Sequence, residues 1–360
     1  MKVSEKSVKS QKTILGIMSG TSLDGLDFAL CSFEKSEKNH SFKILKSGFF
    51  AYNKHRKNQL SEAQNLNVYD FIKLHKQYGT FIGEKANEFL KDTKKPDFIA
   101  SHGHTIFHHP EENVTFQIGD GAFISAETGI SVISDFRNLD TALSGQGAPL
   151  VPIGDKLLFS EYDYCLNLGG FANISYDEKE KRVAYDVCPF NFIINHFARL
   201  VGKEFDKDGE IGKRGKVNQQ LLKELNNLEY YNQKFPKSLG REYAEKYYFP
   251  ILNHYKISVE DIIRTFYEHT AFQLNKSIVQ KNKRKILVTG GGTHNRFFIS
   301  LLQNFNEYSW IVPDKEIIDF KEAIIFAFLG FLRSIGKINT LSSVTGASRN
   351  SSGGNIFIGS

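Results

Sequence analysis

Apolar residues in this chain first fall in short runs and then at steps of three and four, and the succession occurs twice. Residues 13–33 read as strand, turn, strand around the polar segment "GIMSGTSLDGLD" (16–27). In "NVYDFIKLHKQYGTFIGEKANEFL" (67–90), Val68, Phe71, His75, Tyr78, Ile82, Ala86 and Phe89 recur at helical spacing and predict one apolar face. "PDFIASHGHT" (96–105) reads as a short strand ending in a glycine turn. "ISVISDF" (130–136) is a further apolar run, and the turn-rich "LDTALSGQGAPLVP" after it reads as the crossing between domains.

The second half begins in the same way. "DYCLNLGGFANISYD" (163–177) is strand, glycine turn, strand; "EKEKR" makes a second turn and "VAYDV" begins a third strand. "SVEDIIRTFYEHTAFQLNKSI" predicts a helix, with Ser258 and Asp261 spaced as a capping box and Ile262, Phe266, Leu274 and Ile278 on one face. "KILVTGGGTHNRFFISLLQ" (285–303) is strand, triple glycine, helix, and "KEAIIFAFLGFLRSI" (321–335) is a strongly apolar helix. Each half thus opens on a hairpin with a glycine-rich, polar turn. That predicts a duplicated α/β domain with a cleft between the halves: an N-terminal domain over 1–135 and a C-terminal domain over 136–360.

Composition narrows the class. The chain has 360 residues, 41% of them apolar and 24% charged, which suits two ordinary globular domains. The net charge of +6 is scattered, and the basic run "KNKRK" (281–285) reads as a solvated face, so nucleic acid is not an expected partner. Cys31, Cys165 and Cys188 are odd in number and sit in or beside apolar runs, as reduced thiols of a cytoplasmic protein would. The first twelve residues are polar, and no apolar stretch approaches the roughly 20 residues of a membrane span. Neither a leader nor a membrane partner is expected.

Three turns carry the candidate chemistry. Phosphate oxygens are held by main-chain N–H groups that can come close, which requires small residues, and by hydroxyls. Gly20, Thr21, Ser22 and Gly25 offer both, and Asp24 and Asp27 could hold a hard cation; the same residues also make ordinary turns. Asn167, Gly169, Gly170 and Asn173 form the second turn, and Gly290, Gly291 and Gly292 the third, which follows a strand and opens a helix. None matches a dinucleotide fingerprint or a Walker loop. Asp186 ends a strand, where α/β folds gather reactive groups, although an Asp there can also cap a helix or form a turn. Glu322 begins an apolar helix and could serve its dipole alone; Asp135 and Arg137 could form an ion pair or a clamp. His102, His104, His108 and His109 crowd one segment without H-E-x-x-H or cysteine partners, which disfavours zinc, and a G-x-S-x-G elbow is missing.

Taken together, "GIMSGTSLDGLD", "SHGHTIFHHP", "QIGD", "DFRNLDTALSGQGAPLVP", "NLGGFANIS", "PKSLGRE", "VTGGGTHN", "EAIIFAFL" and "VTGAS" occur in the order seen in the anhydro-N-acetylmuramic acid kinase family, which the chain resembles from about residue 14 onward. The resemblance implies a two-domain ribonuclease-H-like α/β fold of the actin, hexokinase and Hsp70 type, with ATP and substrate in the interdomain cleft. It implies ATP and Mg²⁺ as cofactors and a reaction that phosphorylates 1,6-anhydro-N-acetylmuramic acid while opening its anhydro ring, giving N-acetylmuramic acid 6-phosphate for cell-wall recycling. By the same resemblance, Gly20, Thr21, Ser22, Leu23, Asp24, Gly25, Leu26 and Asp27 wrap the ATP phosphates, with Asp24 near the metal. Gly169 and Gly170 do so from the other domain, and Gly290, Gly291, Gly292 and Asn295 lie by the nucleotide. Asp186 matches the catalytic base; Arg137, Glu322 and Asn191 match positions near the sugar. A homodimer in the cytoplasm is also implied. The alternatives are a diverged amino-sugar kinase with another acceptor, or a non-catalytic ATP-gated binding protein of the same fold.

The chain departs from the family pattern at several places. "DVCPFN" stands where D-T-G-P-G-N is usual, so Val187, Cys188 and Phe190 replace Thr, Gly and Gly. His104 replaces a Gln, Ser144 a Gly and Leu239 a Thr. Phe190, four residues after Asp186, is expected to face the sugar site and reshape its pocket.

Overall fold

The structure is a computed structural model and describes residues 10–20, 22–35, 40–235, 237–279, 283–305 and 307–359. The polar segment 1–9 and the start of the basic run at 281 lie outside the described residues.

Twelve strands follow in chain order among the described residues: β1 (Ser10–Ser19), β2 (Gly25–Lys35), β3 (His40–Ala51), β4 (Phe98–His109), β5 (Val114–Ile118), β6 (Val132–Ser134), β7 (Tyr164–Leu168), β8 (Phe171–Glu178), β9 (Lys181–Pro189), β10 (Arg284–Thr289), β11 (Tyr308–Ile311) and β12 (Asn355–Phe357). The chain divides into two compact units, Met1–Leu158 with Phe320–Ser360, and Phe159–Asp319. It therefore enters the second unit and returns, which differs from one boundary after residue 135. The return is fixed by β12, which pairs antiparallel with β6 and so ties the C-terminus to the first sheet.

In the first unit the sheet order is β12-β6-β4-β1-β2-β3, with β5 paired to β4. β1, β2 and β3 are antiparallel neighbours, while β4 and β6 run parallel to β1. In the second unit the order is β11-β10-β7-β8-β9. Again three antiparallel strands are followed by two parallel ones. The same order, third-second-first and then two parallel additions, appears twice. This is the duplicated ribonuclease-H-like fold that the hairpins at 13–33 and 163–177 foreshadow.

Both faces of the first sheet are covered, which explains its near-continuous apolar strands. Leu15 and Ile17 of β1 face the helix Val68–Leu90, whose Tyr78, Ile82, Ala86 and Phe89 are buried with them. The predicted face is shifted at its start, because Val68 is 76% exposed and Leu74 is buried instead. Between Leu15 and Ile17, Gly16 faces the helix Lys315–Ser334 so closely that a Cβ would lie 1.9 Å from the Ala323 carbonyl oxygen. The second unit has its own core, built from β7–β10 and the helices Asn191–Leu200 and Val259–Ser277. Half of the predicted capping box forms: the Asp261 N–H donates to Ser258 Oγ at 3.1 Å, while Asp261 Oδ1 accepts from the Lys216 N–H at 2.6 Å. Cys31, Cys165 and Cys188 are all buried.

Candidate active site

The first unit gathers its polar groups where β1 and β6 end beside the middle of β4, which runs through Gly103 to His109 and does not stop in a glycine turn. The hairpin after β1 is loosely turned, with Leu23 at φ +59° and the Tyr52 N–H bonded to the Asp24 carbonyl at 2.9 Å. Ser22 and Asp24 are exposed; Thr21 lies outside the described residues. A Cβ on Gly20 would meet only Ser22 Oγ, at 3.7 Å. Gly25 differs, since a Cβ there would sit 2.2 Å from the Phe50 carbonyl oxygen, and Leu26 is fully buried in the core. Those two residues serve the sheet. Asp27 is half-buried on β2, opposite Met18.

Beneath the hairpin lies a buried polar network that no local pattern announces. Ser19 Oγ lies 2.7 Å from Tyr52 Oη, 3.0 Å from Tyr78 Oη and 2.9 Å from His104 Nδ1, and the two tyrosine hydroxyls are 2.5 Å apart. Burial raises both tyrosine pKa values, so both rings are neutral hydroxyl donors.

Arg137 follows β6 and does not turn to Asp135. Its Nε donates to His102 Nε2 at 3.0 Å and its Nη1 to the Gly147 carbonyl at 2.6 Å. Asp135, at φ +61°, instead accepts from Asn138 and Asn355 side-chain amides. The specific motifs "GQGAP" and "VTGAS" explain the position of Gly147. Both wrap the buried Asp140 carboxylate, which accepts from the Gly147 N–H and the Thr345 hydroxyl, each at 2.8 Å. Ser144, in the family's glycine position, takes φ +63°, a left-handed conformation that glycine enters without strain. Desolvation lowers Arg137 to about 10, with Glu322 and Asp140 opposing the shift. Glu322 lies inside the helix Lys315–Ser334 and not at its start, so it does not serve the helix N-terminus. Its side chain is exposed, yet the surrounding protein displaces enough water to raise its carboxyl, against the pull of Arg137 and then Lys321.

In the second unit β7 and β10 are parallel neighbours, with Asn167 opposite Thr289, so the turns at 169–170 and 290–292 lie side by side. Their glycines divide by cause. Gly290 has φ +86° and packs on the Leu168 main chain; Gly292 packs on Leu168 and Phe190. Gly169 has close neighbours at 3.3 Å. Gly170 and Gly291 have neither reason: a Cβ would meet nothing within 4 Å, and φ is not positive. They are the only described glycines of that kind. Open space over two main-chain segments at the ends of adjacent parallel strands fits a phosphate cradle.

The neighbouring amides are committed to the fold. Asn295 caps the helix Arg296–Gln303, accepting from the Phe298 N–H at 2.9 Å, while its amide donates to Tyr267 Oη at 2.6 Å. Asn191 donates to the Leu168 carbonyl at 3.3 Å, which braces the Gly169–Gly170 turn.

Asp186 lies within β9, half-buried, and not at a strand end as its sequence pattern suggests, since β9 runs on to Pro189. Its Oδ2 accepts from the Leu239 N–H at 2.9 Å, and its carbonyl accepts from Tyr230 Oη at 2.5 Å. Burial raises its carboxyl pKa, opposed by the Leu239 hydrogen bond. Since a main-chain N–H makes that bond, Leu239 in place of Thr does not remove it. The result is an oriented carboxylate with strengthened basicity, as a general base requires.

The residues after Asp186 do not face a sugar pocket. Val187, Cys188 and Phe190 are all buried in the core of the second unit. The Phe190 ring packs 4.5 Å from Phe298 and 6.3 Å from Tyr267, centroid to centroid, and a Cβ on Gly292 would come within 2.4 Å of it. The ring supports the triple-glycine turn from the core side. The expectation fails because the register shift between Ala172 and Asn173 and the start of the helix at Asn191 turn this segment inward.

Among the described residues no group of three or more His, Cys, Asp or Glu converges on a metal site. Magnesium that arrives with a nucleotide needs only one or two carboxylates beside the phosphates. Asp24 and Asp27 flank the first hairpin in that sense.

A family model described as anhydro-N-acetylmuramic acid kinase matches residues 12–359. The relative of that name from Vibrio parahaemolyticus is 34% identical over 97% of this chain and 99% of its own length. Those from Sulfurimonas denitrificans and Clostridioides difficile are each 33% identical over 95% of this chain, covering 98% and 97% of theirs. With nearly the whole chain matched and its motifs accounted for in the fold, the protein belongs to the anhydro-N-acetylmuramic acid kinase family.

Proposed function

We propose that this kinase transfers the γ-phosphate of ATP to O6 of 1,6-anhydro-N-acetylmuramic acid while water opens the anhydro bridge, giving N-acetylmuramic acid 6-phosphate and ADP. The observation that carries the nucleotide half is the pair Gly170 and Gly291, whose lack of side chains neither packing nor backbone conformation explains. The acceptor follows from the family.

Asp186 takes a proton from water, whose oxygen attacks the anomeric carbon. The C1–O6 bond breaks, and O6 forms the new bond to the γ-phosphorus as the bond to ADP breaks. Bound Mg·ATP supplies the phosphoryl group and offsets its charge. Main-chain N–H groups at Gly20, Gly170 and Gly291 hold phosphate oxygens, and Asp24 stands by the metal. Arg137 and Glu322 bind the sugar, and the carbonyl of Gly147 and the ring of His102 fix the direction of the guanidinium. Gly169, Gly290, Gly292, Asn191 and Asn295 shape these loops from behind. A cytoplasmic homodimer is the assembly this reading favours, and no helix among the described residues is long and apolar enough to cross a membrane.

The test is incubation of the purified protein with Mg·ATP and the anhydro sugar. The 6-phosphate should appear by mass spectrometry in step with ADP; ADP without sugar phosphate would overturn the reading.

A further inference from the structure

The network under the first hairpin fixes the protons of His104. Ser19, Tyr52 and Tyr78 bring three hydroxyl hydrogens to four contacts: Ser19–Tyr52, Tyr52–Tyr78, Tyr78–Ser19 and Ser19–His104. Geometry makes Tyr78 the donor to Ser19. Tyr52 must then donate to Tyr78, and Ser19 to Tyr52. No hydroxyl hydrogen is left for the fourth contact, so the imidazole supplies it from Nδ1–H. Every oxygen in the triangle is then satisfied, as buried polar groups require. Nε2 is left as a bare lone pair, provided that the ring is neutral. Burial lowers its pKa to about 4, so it is neutral throughout the physiological range.

A cavity of about 150 Å³ opens beside this ring, lined by Leu23, Leu60, Gln64, His104, Thr105 and Ile106. Among the described residues Nε2 takes no hydrogen bond, although His104 is only 4% exposed. We propose that His104 is a specificity-determining residue whose Nε2 accepts a hydrogen bond from a hydroxyl or amide N–H of the amino-sugar substrate. The inference rests on the function proposed above and deepens it. Gln, the usual residue of the family here, can both give and take at its tip; the neutral imidazole held by Ser19 can only take. This chain would therefore accept a donor group and reject an acceptor at the same spot, because two lone pairs would meet there.

Two substitutions separate the roles of the two nitrogens. In His104→Asn the amide nitrogen can replace Nδ1–H toward Ser19, but nothing reaches the position of Nε2. In His104→Gln the side-chain oxygen reaches that position, and the Ser19 contact is lost. Calorimetric titration with 1,6-anhydro-N-acetylmuramic acid should show affinity lower by about tenfold in the Asn variant and largely kept in the Gln variant, with ATP affinity equal in both. Nitrogen-15 spectra of the unliganded wild type should show the proton on Nδ1, and sugar should perturb the Nε2 resonance. A proton on Nε2, or equal sugar affinity in wild type and His104→Asn, overturns this proposal alone. Absence of sugar binding by the wild type overturns it together with the proposed function.

Discussion

The guanidinium of Arg137 donates through Nε to His102 Nε2 at 3.0 Å, while His102 Nδ1 lies 2.9 Å from the Gly103 carbonyl. The carbonyl can only accept, so Nδ1 carries the proton and Nε2 is the acceptor that aims Arg137. Burial, and then the charge of Arg137, hold the His102 pKa well below 6.5. The ring therefore stays neutral as pH falls through 6.5, and sugar KM should show no break there. His102→Phe keeps a ring against Phe326 and removes the acceptor. It should raise sugar KM by about tenfold or more, since bonds to charged groups contribute roughly 1.5–3 kcal/mol. ATP KM should stay within about twofold. A coupled ADP assay across pH measures both; a break near 6.5 that His102→Phe abolishes would contradict the assignment.

The glycines should separate into two groups. Gly170→Val and Gly291→Val place a side chain in open space, so the thermal melt should hold while calorimetric ATP affinity falls at least tenfold. Gly16→Ala drives a Cβ into the Ala323 carbonyl and should lose about 1–3 kcal/mol of stability, with ATP affinity intact in the folded fraction. Unchanged ATP affinity in both valine variants would leave these turns purely structural.

Phe190→Ala should cost about 3–5 kcal/mol of stability, as a fully buried ring does. Because the ring backs Gly292, ATP KM should rise more than sugar KM. The opposite ranking would return Phe190 to the sugar site.

Much of the fold was legible because strand, glycine turn and strand are neighbours in sequence: both hairpins, the 285–303 unit and the Ser258 cap could be read locally. The apolar part of the helix Lys315–Ser334 is legible from its run, but its start at Lys315 and its close fit on Gly16 are not: its first residues, "KEIIDF", mix charged and apolar positions, and β1 and that helix lie some 300 residues apart in the chain. The glycine turns are legible from residue type and place in a strand–turn pattern, whereas the strand that carries Asp186 runs on to Pro189, past the end its pattern suggests. The Ser19, Tyr52, Tyr78 and His104 network was invisible, because its members come from separate elements and share no spacing. Phe190 was misplaced for a related reason. Its direction depends on a β-bulge that sequence alternation does not reveal.

Asp186 should leave a signature in stability as well as in rate. Its folded pKa is raised, so between the unfolded and folded values the native state binds the extra proton, and stability falls as pH rises through that window. At neutral pH the ionised carboxylate is therefore a net cost. Asp186→Asn should be at least as stable as wild type at pH 7, with kcat lower by roughly 10²–10⁴-fold. Denaturant melts at several pH values check the sign; a less stable Asn variant at pH 7 would mean that the carboxylate is a structural anchor.

The most direct test follows the oxygen of water. The purified protein, Mg·ATP and 1,6-anhydro-N-acetylmuramic acid are combined in H₂¹⁸O, and the sugar phosphate is fragmented in the mass spectrometer immediately after quenching. If water activated by Asp186 attacks the anomeric carbon while O6 takes the phosphoryl group, one ¹⁸O should appear at C1 and none in the phosphate, and Asp186→Asn should slow product formation by roughly 10²–10⁴-fold. An unlabelled C1 with the anhydro ring intact, or ¹⁸O found in the transferred phosphate, would contradict the account.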